Sequence, residues 1–169
     1  LREYQIRAVQ AAENAIIEGK PTALIAMATG TGKTRTVLAM IYRFLKTKRF
    51  RRILFLVDRN ALGNQTSDVF KEVKLEDLMT LNEIYNVKGL DDKEFEKEAR
   101  VQIATVQGLV KRILYSDDGR KPAVTDYDLI IVDEAHRGYI LDHEMGEDEL
   151  LYRDQVDYQS KYRAVLDYF

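Results

Sequence analysis

Two short clusters in this chain of 169 residues have types and spacing that could do chemistry. The first is Met27-Ala28-Thr29-Gly30-Thr31-Gly32-Lys33-Thr34. Small residues there let the backbone N–H groups of Ala28, Thr29, Gly30, Thr31 and Gly32 curl around phosphate oxygens. A helix starting at Lys33 adds the positive end of its dipole. Lys33 would then reach the β- and γ-phosphates of a bound nucleotide, and the Thr34 hydroxyl would bind Mg2+. Glycine usually holds the first position of this pattern, where the chain has Met27. The plainer alternative is a glycine turn that happens to carry Lys-Thr. A predicted strand before the loop and a predicted helix after it speak against that alternative.

The second cluster, Asp133-Glu134-Ala135-His136, follows the apolar run Leu129–Val132. In an open α/β sheet, ligands collect at the carboxyl ends of the strands. A phosphate loop also leaves the carboxyl end of its strand, so both clusters belong on one rim. Asp133 would hold Mg2+ through water, and Glu134 would polarise the attacking water. An acidic pair after a strand is by itself an ordinary turn. Beside a phosphate loop it reads as the other half of a hydrolytic site.

Positioning both clusters requires alternating strands and helices. Residues 3–18 place Ile6, Val9, Ala12, Ile16 and Ile17 near helical spacing, with Gly19 as a stop. Pro21 separates that helix from Thr22–Met27, an apolar run predicted as a buried strand. Lys33–Lys48 predicts a second helix with Val37, Met40, Ile41 and Phe44 on one side. Ile53–Val57, Val101–Val106 and Leu129–Val132 read as further strands. Helices are predicted over Ala61–Val73, Gln107–Tyr115 and roughly Ser160–Phe169. Met79–Val87 could be a short strand, Asp91–Arg100 a solvated helix or loop, and the acidic residues 138–158 a surface excursion. The fold class predicted is α/β: a three-layer α/β/α domain with a mostly parallel sheet.

The length fits one domain. Hydrophobic residues at 46% and charged residues at 32% exclude a disordered or collagen-like chain. The chain has no Cys, which excludes a disulfide framework, a thiol nucleophile and a cysteine-ligated metal. His136 and His143 alone leave little room for a histidine-rich metal site. The longest apolar run, Ala23–Ala28, is far too short to span a membrane. The net charge of −2 hides a gradient: residues 1–60 carry 12 Lys/Arg against 4 Asp/Glu, and residues 61–169 carry 14 against 24. A basic first third suits a polyanion, or is simply a solvated face. The chain opens on Leu1 rather than Met, so a piece of a longer protein is expected.

Asp58, Glu72 and Lys74 imitate the acid-plus-lysine set of metal-dependent nucleases. Glu72 and Lys74 are predicted at a helix end, where they do not converge on Asp58, and a solvated face explains them better. His143 sits among acids and is expected to be exposed. The ten Tyr are expected to pack rather than to stack bases.

With both clusters assembled, the chain resembles the first motor lobe of superfamily-two helicases and DNA translocases. Leu1-Arg2-Glu3-Tyr4-Gln5 resembles the leader of that family, which implies that Gln5 reads the adenine edge of ATP and places Arg2 beside the nucleotide. Phe55-Leu56-Val57-Asp58-Arg59-Asn60-Ala61-Leu62-Gly63-Asn64-Gln65 is similar to the next motif, whose Arg, here Arg59, touches nucleic-acid phosphates. Ile103-Ala104-Thr105-Val106-Gln107-Gly108-Leu109 resembles the following one, which implies DNA contacts for Thr105 and Gln107. Asp133-Glu134-Ala135-His136-Arg137-Gly138-Tyr139, the acidic excursion and Tyr162–Phe169 together resemble the restriction (motor) subunit of type I restriction-modification enzymes. That likeness covers essentially the whole chain.

The resemblance implies that residues 1–169 are a single RecA-like ATP-binding lobe. The parent subunit would hydrolyse ATP, with Mg2+, to move double-stranded DNA before cleavage elsewhere in the subunit. It implies a nuclease domain upstream, a second RecA-like lobe downstream, and methyltransferase and specificity subunits as partners. The setting implied is the cytoplasm of a bacterium or archaeon, with no membrane contact. Other superfamily-two enzymes, such as a type III restriction subunit or a repair helicase, share most of these motifs. A nucleotide-sensing module that never turns over would have little use for Glu134. A P-loop metabolite kinase would not need the Gln5 leader or the Arg59 motif.

Overall fold

Ile-Leu-Phe-Leu-Val forms strand β1 (Ile53–Val57), and its alternating side chains divide the core in two. The computed structural model describes residues 1–57, 69, 71–76, 79–88, 98–115, 121–135 and 161–169. Ile53, Phe55 and Val57 face one way, into a cluster with Val9 and Ala12 of α1 (Glu3–Ile17) and Leu38, Ile41 and Phe44 of α2 (Lys33–Lys46). Leu54 and Leu56 face the other way, against Val106, Leu109 and Ile113 of α3 (Val106–Tyr115) and Tyr162 and Val165 of a last helix over residues 161–168. Side chains of a strand point to opposite faces by turns, so one five-residue strand serves both layers. Burial of each such aliphatic side chain contributes about 1.5–3 kcal/mol.

The main sheet has the order β4-β5-β1-β6, with β4 at Val87–Lys88, β5 at Val101–Thr105 and β6 at Leu129–Val132. All three pairings are parallel. Ile53 lies beside Val101 on one side and Leu129 on the other. A separate antiparallel ribbon joins β2 (Lys74–Glu76) to β3 (Met79–Thr80). At the amino rim, Asp128 Oδ2 accepts the backbone N–H groups of Arg51 at 2.7 Å and Arg52 at 3.1 Å, tying the entries of β1 and β6 together. The three-layer α/β arrangement matches the expectation.

Both long helices end in the same device. At the end of α1, Gly19 N–H bonds to Ile16 O and Lys20 N–H to Ala15 O. At the end of α2, Lys48 N–H bonds to Leu45 O and Arg49 N–H to Phe44 O. These paired bonds require a left-handed residue between them. Gly19 takes it at φ 73°, and Lys48 takes it at φ 55°. α2 therefore stops two residues before the predicted Lys48.

Several expectations need correction. Thr22–Met27 is not a strand: no ladder joins it to another strand among the described residues. Ile25 packs on the α1–α2 side of the core, while Leu24 on the opposite side is 87% exposed. With one face uncovered, the segment lacks the two-sided burial of a parallel strand. The predicted strand Met79–Val87 is instead β3, a single helical turn Leu81–Ile84, and β4. The turn is set by Thr80-Leu81-Asn82-Glu83, where Glu83 Oε2 accepts Thr80 N–H at 2.6 Å and the Thr80 hydroxyl at 2.9 Å. Those bonds hold the Glu83 carboxyl below its ordinary pKa. Lys74, predicted at a helix end, opens β2. Val106, predicted to close β5, starts α3. Asp58, His143, the acidic excursion 138–158 and most of Ala61–Val73 and Asp91–Arg100 lie outside the described residues.

Candidate nucleotide site

The loop before α2 is built from two left-handed glycines. Gly30 has φ 77° and Gly32 φ 81°, conformations closed to most side chains. Thr31 folds back on Ala28, with its N–H at 3.3 Å and its hydroxyl at 2.6 Å from Ala28 O. Gly32 caps α2, its carbonyl accepting Thr36 N–H at 3.1 Å. Lys33 and Thr34 are thus the first two helical residues, beside backbone N–H groups that no turn of helix precedes.

The second cluster arrives through β6. Asp133 N–H bonds to Leu56 O at 2.9 Å, extending the β1–β6 ladder past its last paired residue. The chain then turns sharply: Glu134 has φ 50°, left-handed for a non-glycine residue. Asp133 Oδ1 accepts Glu134 N–H at 3.0 Å and stabilises that turn. The turn carries the Glu134 carboxylate to Lys33, and the two form an ion pair across 101 residues of sequence. Both side chains stay partly open to solvent, at 29% and 25%. The loop and the Asp133-Glu134 pair therefore share one rim of the sheet.

The leader reaches the loop from behind. Gln5, 5% exposed, donates through Nε2 to Thr31 O at 3.0 Å and Gly32 O at 3.3 Å, and its Oε1 accepts Arg2 N–H at 2.9 Å. A Cβ on Gly32 would stand 2.7 Å from Gln5 Nε2, so any other residue there would push the Gln5 amide off its bonds to the loop. Arg2 is the N-cap of α1, with an exposed side chain. Tyr4 was not among the expected site residues, yet its hydroxyl donates to Thr31 O at 2.9 Å. Its only signal in the sequence is its place next to Gln5.

Thr105 closes β5 on the same rim as Asp133, since Val57 pairs with Thr105 and Leu56 with Val132. Thr105 is 7% exposed, and its hydroxyl oxygen accepts Gly108 N–H at 3.0 Å, the bond of a helix N-cap. Gln107 is half-buried in the first turn of α3. Arg59 and His136 lie outside the described residues.

The arrangement suits a polyphosphate. The loop's Thr31 and Gly32 carbonyls are engaged by Gln5 and α2, so the loop turns a helix N-terminus toward an anion, beside a lysine that is paired with Glu134 in this structure. A hydroxyl at Thr34 and a carboxylate at Asp133 are oxygen groups of the kind that Mg2+ takes.

A family model described as type III restriction enzyme, res subunit, matches residues 1–169. The chain belongs to this restriction-enzyme family. It is 53% identical over all 169 residues to the type I restriction enzyme EcoKI endonuclease subunit of Escherichia coli (strain K12), and spans 14% of that subunit. It is 31% identical over 168 residues, 99% of the chain, to the type I restriction enzyme EcoAI endonuclease subunit of Escherichia coli, of which it spans 18%. A solved structure of a nuclease-deletion mutant of the type ISP restriction-modification enzyme LlaGI, in complex with a DNA substrate mimic, has a similar fold. The TM-score is 0.53 at 23% identity, over 80% of this chain and 15% of that one. No helix among the described residues of this chain is long and apolar enough to cross a membrane.

Proposed function

We propose that residues 1–169 form one ATP-binding lobe of an endonuclease subunit that uses ATP hydrolysis to move along double-stranded DNA. The observation that carries the reading is the Lys33–Glu134 ion pair. It joins a phosphate loop to an acid at a strand end, which is what transfer of a γ-phosphoryl group to water requires. Backbone N–H groups from Ala28 to Gly32 bind the phosphates, and Lys33 neutralises charge on the β- and γ-oxygens. Glu134, released from Lys33, orients and polarises the attacking water. Mg2+ held by Thr34 and Asp133 would supply further neutralisation of the phosphate charge.

Gln5 and Arg2 take the nucleoside side of the same site, and Arg59, Thr105 and Gln107 the DNA backbone. Because such a motor slides over any sequence, those contacts go to phosphates rather than bases. The second lobe, the nuclease domain and the methyltransferase and specificity subunits belong to the same proposal. Two substitutions in the full-length subunit test it. Lys33→Ala should abolish most ATP affinity measured by calorimetry. Glu134→Gln should keep that affinity while lowering turnover by at least about a hundredfold. Unchanged ATP affinity in the first variant, or near-normal ATPase in the second, would overturn the assignment.

A further inference from the structure

Two donors converge on one carbonyl at the back of the phosphate loop. The Tyr4 hydroxyl reaches Thr31 O at 2.9 Å, and Gln5 Nε2 reaches the same oxygen at 3.0 Å. A peptide oxygen offers two lone pairs, so Thr31 O is fully used. The peptide unit is planar and trans, with its C=O and the following N–H pointing in opposite directions. Holding Thr31 O against the first turn of α1 therefore aims the Gly32 N–H away from α1, into the hollow of the loop. Gln5 Nε2 carries two N–H donors and gives the second to Gly32 O, which leaves one lone pair of Thr31 O to another donor. The Tyr4 hydroxyl takes that lone pair. Its ring is 40% exposed and stands outside the buried core, and its hydroxyl is spent on the loop.

We propose that Tyr4 is a positioning residue for the triphosphate: its hydroxyl fixes the Thr31–Gly32 peptide so that the Gly32 N–H faces a phosphate oxygen. It acts through the loop and not through the base. The inference rests on the reading of this loop as the nucleotide site, and the two can fail separately.

Tyr4→Phe removes the hydroxyl and nothing else, at an exposed position where Phe is readily accommodated. In the full-length subunit, the affinity for ATP and for inorganic tripolyphosphate should fall by the same factor. That factor should be about two- to tenfold, the worth of one neutral hydrogen bond. Adenosine affinity and the thermal midpoint should not move, and the ATPase should show a raised KM with kcat within about twofold. Loss of ATP or adenosine affinity with tripolyphosphate unchanged would mean that Tyr4 touches the base, and would overturn the proposal. So would unchanged affinity for both phosphates, or a lowered thermal midpoint alone. Lys33→Ala serves as the reference: if it leaves tripolyphosphate binding intact, the site reading fails whatever Tyr4→Phe does.

Discussion

Strands β1 and β6 lie side by side and are both wholly apolar, Ile-Leu-Phe-Leu-Val against Leu-Ile-Ile-Val. Every residue of β1 is buried, at 0–1% exposure, whereas every residue of β6 is only half-buried. The difference comes from their neighbours. β1 has a parallel partner on each side and helices over both faces, while β6 pairs with β1 alone among the described residues. Hydrophobic composition predicts that a segment will be a strand; the elements around it decide how much it contributes. The less covered half of the sheet also carries the proposed chemistry. Asp133 and Glu134 leave β6, and the phosphate loop follows the open segment Thr22–Met27. A site that must admit a charged ligand and water cannot be walled in on every side, and the fold separates the two demands by one strand.

Core truncation gives the largest expected effect. Phe55→Ala should cost about 3–5 kcal/mol in denaturant unfolding, as for other fully buried aromatic residues. Ile131→Ala, on the half-buried neighbour, should cost about 1–2 kcal/mol, because part of the side chain already lies in water. Equal losses at the two positions would break the contrast between the strands. The smallest effect lies at the entry to β1, where Lys48 occupies the left-handed position that Gly19 fills at the end of α1. Lys48→Gly should raise stability by about 0.5–1 kcal/mol, by removing a Cβ from that conformation. A destabilised variant would mean that the lysine side chain holds that turn.

The sequence made much of this legible where local rules dominate. β1, β5 and β6 announce themselves as short apolar runs, and Gly19 marks the end of α1. Lys33 and Glu134 are identifiable as partners because both residue types have chemical meaning after a strand or in a glycine loop. Thr22–Met27 misled because its apolar run looks like a buried strand, and only tertiary cover could make it one. The end of α2 misled because no residue type signals that a lysine will go left-handed. Thr105 is read from its motif as a DNA contact; the fold shows its oxygen capping α3, a duty visible only when Gly108 arrives beside it. Tyr4 stayed hidden because an exposed aromatic on a first turn has no meaning until the loop folds against it. The Thr-x-x-Glu pattern at Thr80 and Glu83 was readable and marks a helical turn, not the interior of a strand.

Glu134 sits in a backbone conformation that favours glycine, yet the proposed chemistry demands a carboxylate there. Its ion pair with Lys33 is half in water and offsets at most about 1 kcal/mol. A library of this protein sorted for heat resistance would therefore drift toward glycine at two places among the described residues, positions 48 and 134. At the first the change is silent. At the second it would select hardy variants without the proposed catalytic carboxylate, so any thermostabilising campaign has to hold position 134 fixed or screen for turnover alongside survival.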